Sequence, residues 1–108
     1  MQFESRKRGE VTVIRLAGSL DSASAASIQA DLGQLIPDVG TTVLDLGEMT
    51  YMSSAGLRVL LLTHRQAQES GARIVLVNLA SDVREVMSAT GFLDFFEVMD
   101  PKEAEVLA

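Results

Sequence analysis

The sequence predicts an α/β protein in which a mixed, mostly parallel β-sheet of about five strands carries packed helices. The first observation is the alternation of strand and helix patterns along the chain, in the order ββαβαβαβα. The second is Arg73 to Val77, where "IVLV" is apolar on both faces, as in a parallel strand that helices cover. The third is size, because 108 residues with 47% hydrophobic content fill one compact core. We therefore expect a single domain over residues 1–108.

The first third of the chain predicts two strands and a helix. Phe3 to Arg8 is mostly polar, as an edge strand would be, and Gly9-Glu10 can turn it into the β-branched strand Val11 to Ala17. After a turn, Ser22 to Ile36 has a helical pattern that Pro37 stops. The apolar residues that share its predicted face are Ile28, Leu32, Leu35 and Ile36.

The middle of the chain continues the alternation. Thr42 to Leu46 predicts a short strand, and Ser54 to Glu69 predicts a helix that Gly71 ends. Ser81 is expected to cap a short third helix, and Gly91 is expected to end it. The apolar face of that helix is predicted to contain Val83, Val86 and Met87.

The end of the chain predicts a last strand and a last helix. The strand is "FFEVM", Phe95 to Met99. Asp100 then has the features of an N-cap, Pro101 those of a first helical residue, and Glu103 those of the partner in a capping box. A short helix should follow.

Composition excludes several classes of function. There is no cysteine and only one histidine, so neither a disulfide framework nor a thiolate metal site is expected, and we predict no metal and no cofactor. The net charge of −6 disfavours direct binding to nucleic acid, since the one basic cluster, Arg6-Lys7-Arg8, is too small to reverse it. No apolar run is long enough to enter a membrane, and the N-terminal residues show no leader pattern. We expect a cytoplasmic protein.

Topology predicts where a site would lie. Parallel strands joined by right-handed crossovers bring the strand-to-helix turns to one edge of the sheet, here Gly18 to Ser22, Gly47 to Ser54 and Asn78 to Ser81. Ser53 and Ser54 fall at the start of the second helix, where one serine can cap free N–H groups. The connection from Gly47 to Ser53 is longer than the topology requires. The second hydroxyl is therefore available for chemistry.

Nucleophilic catalysis by that hydroxyl is disfavoured. The only histidine, His64, lies ten residues along the same helix from Ser54, about 15 Å away, and its spacing predicts a packing or surface role. The chain has neither a G-x-S-x-G elbow nor a phosphate-binding glycine loop. The carboxylates and lysine of a response-regulator receiver are also not in place. Acceptance of a phosphate remains, because a phosphoserine at a helix N-terminus meets the positive end of the dipole.

Three stretches of the chain resemble the STAS domain, in particular the bacterial anti-sigma factor antagonists. The first is "DLGEMTYMSSAGLRVLLL", Asp45 to Leu62, which resembles the family signature of a strand running through an aromatic-apolar pair into D-S-[ST]-G-L. The second is "RLAGSLD", Arg15 to Asp21, which looks like the family's second strand and its G-x-L-D turn. The third, Gly71 to Val98, follows the family order of strand, short helix, glycine and strand. The resemblance covers nearly the whole chain.

The resemblance implies a role for individual positions. It places the phosphoacceptor on Ser54, and its motif positions of turn aspartate, aromatic-apolar pair, glycine and leucine on Asp21, Tyr51, Met52, Gly56 and Leu57. Two positions depart from the pattern. Ser53 stands where the family often has aspartate, which makes it a second candidate hydroxyl, and Ala55 replaces a serine or threonine.

The resemblance also implies a mechanism and partners. An unphosphorylated antagonist binds an anti-sigma factor that is also a serine kinase of the GHKL type, and so releases the sigma factor. Phosphorylation by that kinase stops binding, and a PPM-type serine phosphatase restores it. On this interpretation the chain is a monomeric substrate and ligand rather than an enzyme, with Tyr51, Met52 and Leu57 as an apolar docking patch and Asp21, Ser53 and Gly56 beside it. Core packing is the alternative for those three apolar side chains.

Two other functions remain open. A STAS-like scaffold could bind a small ligand, a sensor or a transporter partner in trans without being phosphorylated. A small hydrolase could use Ser54 as its nucleophile, although the missing base argues against it.

Overall fold

The structure is a computed structural model and describes residues 1–105. Its elements are β1 Gln2–Arg8, β2 Val11–Leu20, α1 Ala25–Leu35, β3 Thr41–Met52, α2 Ser54–Ser70, β4 Arg73–Val77, α3 Ser81–Ala89, β5 Glu97–Met99 and α4 Pro101–Glu105. A short 3₁₀ helix, Phe92–Phe95, precedes β5. The predicted α/β class and the chain order ββαβαβαβα are confirmed.

The five strands form one mixed sheet in the order β1-β2-β3-β4-β5. The first two pair antiparallel through the turn at Gly9-Glu10, and the others are parallel to their neighbours. Gly9 has φ +63, a left-handed conformation that glycine adopts without strain. All seven residues of β1 are exposed, so its prediction as an edge strand is confirmed.

The two faces of the sheet are covered unequally. Alternate residues such as Ile14, Leu16 and Leu44 point to the larger core, which residues of α1, α2 and α3 complete. The opposite face contributes a smaller cluster of valines that includes Ala104 of α4. Every β4 residue after Arg73 is buried, so the prediction of a strand covered on both faces is confirmed.

Strands β2 and β3 are longer than predicted. The prediction that β3 ends at Leu46 and that Gly47 to Ser53 form a connection is wrong, because β3 continues to Met52. Likewise β2 continues past Ala17 to Leu20, which pairs with Met52. Two register shifts in this pairing interrupt the alternation of buried and exposed residues, and the sequence pattern therefore suggested a loop.

The ends of the first two helices depend on local signals. Helix α2 ends where Gly71 adopts φ +89, as predicted. Helix α1 ends at Leu35, close to Pro37, but begins at Ala25 rather than Ser22. The reason is a turn over residues 21–24, in which the Asp21 carbonyl oxygen accepts hydrogen bonds from Ser24 N and Ala25 N. The helix therefore begins only after this turn.

The last third of the fold corrects three details and confirms one. Ser81 is not the cap of α3, since Ala80 holds the N-cap position and Ser81 is the first helical residue. Val86 is 45% exposed rather than part of the buried face, and Phe95 lies in the 3₁₀ helix rather than in β5. The capping box is confirmed because Lys102 N donates to Asp100 Oδ1 (2.9 Å) and Asp100 N to Glu103 Oε1 (3.3 Å).

Candidate functional site

The two adjacent serines have different environments. Ser53 is the N-cap of α2, in extended conformation, and its Oγ accepts a hydrogen bond from Gly56 N at 3.3 Å. Ser54 is the first residue of the helix and is exposed. Its hydroxyl makes no hydrogen bond to the described part of the chain. One serine therefore caps the helix, as predicted, and the other presents its oxygen to solvent.

The end of β2 fixes the start of this helix. Ser53 N donates to the Leu20 carbonyl oxygen at 2.9 Å. Gly56 faces the same residue, and a Cβ added to Gly56 would stand 2.7 Å from Leu20 Cγ. Only glycine allows this approach of helix to strand. The sequence assigned Gly56 to the site through the family motif alone. Its place in the first turn of the predicted helix was the signal that could have indicated close packing.

Asp21 organises the turn beside the serines. Its Oδ1 accepts hydrogen bonds from Ala23 N at 3.0 Å and from Ser24 N at 3.2 Å. Ser24 Oγ in turn donates to the Ser19 carbonyl oxygen at 2.9 Å. Leu20 ends β2 and pairs with Met52, which ends β3. Asp21 and Ser53 immediately follow these two paired residues. The predicted proximity of Asp21 to the serines is therefore present, and the aspartate holds backbone N–H groups there.

The third predicted part of the rim, Asn78 to Ser81, follows β4, which pairs with β3 only as far as Asp45. Asn78, with φ +59, donates from Nδ2 to Asp45 Oδ1 at 3.1 Å, and Gly47 N donates to the same oxygen at 3.0 Å. A Cβ on Gly47 would stand 3.1 Å from the Asn78 Cβ. Since β3 continues beyond this cluster to Met52, the end of β4 is set back from the serines.

Burial changes the predicted docking patch. Tyr51 is 55% exposed, whereas Met52 and Leu57 are 6% and 4% exposed and belong to the main core. Gly56 is also buried against β2. The expectation of three exposed apolar side chains is therefore wrong for Met52 and Leu57. Met52 ends β3, where it pairs with Leu20 and packs in the core, and Leu57 lies on the buried face of α2. Contact of a partner with this segment stays a prediction.

Arg58 is a residue that sequence reasoning did not single out. It lies four residues after Ser54 on α2, and it is exposed. Within residues 1–105, the Arg58 guanidinium forms no ion pair. Residues four apart on a helix are neighbours on its surface, so this spacing was the available signal.

The remaining polar features do not supply catalytic chemistry to Ser54. The His64 ring packs 5.2 Å from the Phe96 ring, so its predicted packing role is confirmed. The bidentate contact of Arg73 with Glu97 lowers the pKa of that carboxyl and joins β4 to β5, but it lies at the first residue of β4. Residues 1–105 contain no cluster of acidic or histidine side chains that could hold a metal, and no helix among them is long and apolar enough to cross a membrane.

Comparison with known proteins places this chain in a family. Residues 2–106 match the model of the STAS domain. BtrV of Bordetella bronchiseptica, whose name assigns it to the anti-sigma factor antagonists, is 42% identical over 110 residues that span 100% of this chain and 94% of BtrV. The anti-sigma-B factor antagonist of Bacillus subtilis is 26% identical over 86% of this chain and 85% of that protein. The chain belongs to the STAS domain family.

Solved structures agree on the fold. The anti-sigma factor antagonist SpoIIAA in its unphosphorylated form has a TM-score of 0.71 at 24% identity, covering 98% of this chain and 94% of SpoIIAA. SpoIIAA in its phosphorylated form matches with the same TM-score and identity, over 98% of this chain and 96% of that one. STAS anti-sigma factor antagonists are regulatory binding proteins and not enzymes, which is the class that the sequence predicted.

Proposed function

We propose that this protein is an anti-sigma factor antagonist that works as a partner switch, with Ser54 as its phosphoacceptor. The observation that carries the proposal is the division between the two serines. The Ser53 hydroxyl is occupied by Gly56 N, whereas the neighbouring Ser54 hydroxyl is exposed and unbonded within the described chain. The names of the relatives and the two forms of SpoIIAA support the same class of protein.

The proposed chemistry requires little of this chain. The Ser54 oxygen attacks the γ-phosphorus of ATP in the kinase, ADP leaves, and a base of the kinase takes the hydroxyl proton. The dianion that forms lies at the first residue of a 17-residue helix, where free N–H groups and the helix dipole favour negative charge. Arg58, one turn further on, adds a cation that has no ion pair within residues 1–105. The fold should therefore tolerate the phosphate.

Phosphorylation of Ser54 changes the surface to which a partner binds. Tyr51 is an exposed aromatic side chain just before the serines, and it supplies apolar contact area to a docked partner. A phosphate dianion in the same interface must lose its water or find new partners, which costs several kcal/mol. The unphosphorylated form would bind a GHKL-type anti-sigma factor kinase and release the sigma factor, in the cytoplasm. Phosphorylation would end that binding, and a PPM-type phosphatase would restore it.

A charge substitution at the proposed acceptor tests this switch. Ser54→Asp should stay folded and bind the anti-sigma factor kinase from the same organism at least tenfold more weakly, about 1.4 kcal/mol. Ser54→Asn is the matched control for size, and Ser27→Asp places the same charge on an exposed position of α1. Both controls should bind as the wild type does. Equal affinity of Ser54→Asp and the wild type in calorimetry would remove Ser54 from the interface.

A further inference from the structure

Strand β1 ends the sheet with an open edge. It pairs only with β2 within the described residues, its seven residues are all exposed, and its pairing has no register shift. The opposite edge of the sheet is β5, which has only three residues. A long, regular edge strand presents unpaired N–H and C=O groups that can pair with another strand.

The turn before β2 determines which groups are free. Gly9 has φ +63 at the first central position of a two-residue turn, and Arg8 pairs with Val11 across it, as in a type II′ hairpin. That turn hydrogen-bonds Arg8 to Val11, and hydrogen-bonded pairs alternate along an antiparallel ladder. Arg6, Glu4 and Gln2 therefore also face β2 with their backbone groups. The outward groups belong to Phe3, Ser5 and Lys7.

The sequence of β1, "QFESRKR", is complementary to itself when two copies run antiparallel about Ser5. In that register the two Ser5 residues exchange hydrogen bonds, and each Phe3 exchanges them with Lys7 of the other copy. Glu4 then lies opposite Arg6 in a pair without backbone hydrogen bonds, where side chains come closest. Glu4 uses its Oε2 to accept from Arg15 at 2.7 Å, which leaves Oε1 for a second cation. Arg6 has no ion pair in the described part of the chain.

Neighbouring registers are unfavourable. A shift of two residues in one direction places Glu4 opposite Glu4, and the same shift in the other direction places Arg6 opposite Arg6. Lys7, which on an isolated edge strand would discourage pairing, lies opposite Phe3 in the favourable register, where its stem and ammonium group can cover the ring. Charge therefore favours the register about Ser5 over its two neighbours.

We propose that the β1 edge binds β1 of a second copy of this chain, antiparallel about Ser5, and forms a two-fold symmetric dimer with one continuous sheet. The occupant follows from the charge complementarity of the strand with itself, and this dimer replaces the expectation of a monomer. It does not depend on phosphorylation of Ser54, which is the first residue of α2 and lies outside β1. Because the contact is one strand wide, the dimer should be weak and visible only at high concentration.

Two charge-reversed chains test the register. The wild-type chain has a mass of 11.6 kDa. In sedimentation equilibrium its apparent mass should rise toward twice that value as the concentration increases from about 10 μM to about 1 mM. Arg6→Glu and Glu4→Arg should each weaken self-association at least tenfold, because each places like charges opposite one another. An equimolar mixture of the two variants should associate again, since each strand then meets its opposite charge. A mixture that stays monomeric would overturn the proposed register.

A backbone substitution tests the same edge without a change of charge. Ser5→Pro removes an outward N–H that β2 does not use, so the hairpin should persist while the dimer is lost. Ser5→Ala keeps the N–H and should dimerise as the wild type does. Wild-type protein that remains monomeric at about 1 mM would overturn the proposal. A wild-type dimer that Ser5→Pro and Arg6→Glu leave unchanged would overturn it as well, because the interface would then lie elsewhere.

Discussion

Gly56 lies so close to Leu20 that a Cβ on the glycine would stand 2.7 Å from Leu20 Cγ and closer still to the Leu20 carbonyl oxygen. The same carbonyl oxygen accepts a hydrogen bond from Ser53 N. One residue at the end of β2 thus holds both the cap and the first turn of α2. This contact fixes the start of α2 against the end of β2.

Adding a methyl group at this contact should separate helix and strand. We expect Gly56→Ala to lower the free energy of unfolding by about 2 kcal/mol, because the Leu20 carbonyl oxygen and side chain must move. Urea titration followed by circular dichroism measures this. Gly33→Ala is the control, since Gly33 lies in α1 with open space around its Cβ position and should gain up to about 1 kcal/mol in helix propensity. A neutral Gly56→Ala would show that the contact relaxes easily.

The two serines should differ in their effect on stability. Ser53→Ala removes the acceptor for Gly56 N and should lower the free energy of unfolding by about 1 kcal/mol. Ser54→Ala removes a hydroxyl with no partner in the described chain and should change it by less than about 0.5 kcal/mol. Thermal melts of both variants provide the comparison. The reverse order would assign the cap to Ser54.

Arg58 should respond to phosphate on Ser54. A phosphoserine four residues before an arginine at a helix N-terminus gains from both the dipole and the cation, so the phosphorylated protein should be more stable by about 0.5 to 1 kcal/mol. Arg58→Gln should remove part of that gain. Arg65→Gln, an exposed change further along α2, should leave it intact. Equal gains in all three proteins, measured by thermal melts with and without phosphate, would remove Arg58 from this role.

The free energy of unfolding should depend on pH through Glu97. Arg73 lowers the pKa of this carboxyl, so its contribution to stability is present above the ordinary pKa of a glutamate and is lost as pH falls through the lower folded pKa. Because both side chains are more than 40% exposed, the effect should stay below about 1 kcal/mol. Glu97→Gln should lower stability at pH 7 and lose that difference under acid, whereas Glu85→Gln, an exposed change in α3, should show no such window. A difference that persists below the folded pKa would show that charge is not its source.

Local signals allowed much of the fold to be predicted. Helix α2 was bounded to within one residue because Ser53 and Gly71 flank it as end signals, and the capping box at Asp100 is equally local. The buried strand β4 was evident from its apolar residues. In each case the residues that cause the structure are neighbours in the chain.

The failures arise where distant segments decide the outcome. The extension of β3 to Met52 depends on pairing with β2 through two register shifts, which no pattern within β3 reveals. The burial of Met52 depends on the pairing of β3 with β2, and the burial of Leu57 depends on how α2 packs on Leu20 through Gly56. The exposed apolar surface beside the serines was therefore overestimated, and the role of the serines as the site stays a prediction.

Ser54, and not Ser53, is proposed to accept the phosphate that switches binding. Incubation of the wild-type protein, Ser53→Ala and Ser54→Ala with ATP and the anti-sigma factor kinase from the same organism, followed by intact and fragment mass spectrometry, tests it most directly. One phosphate on Ser54 in the wild type and in Ser53→Ala, with none on Ser54→Ala, is the predicted result. Phosphate on Ser53 in the wild type, or full phosphorylation of Ser54→Ala, would contradict it.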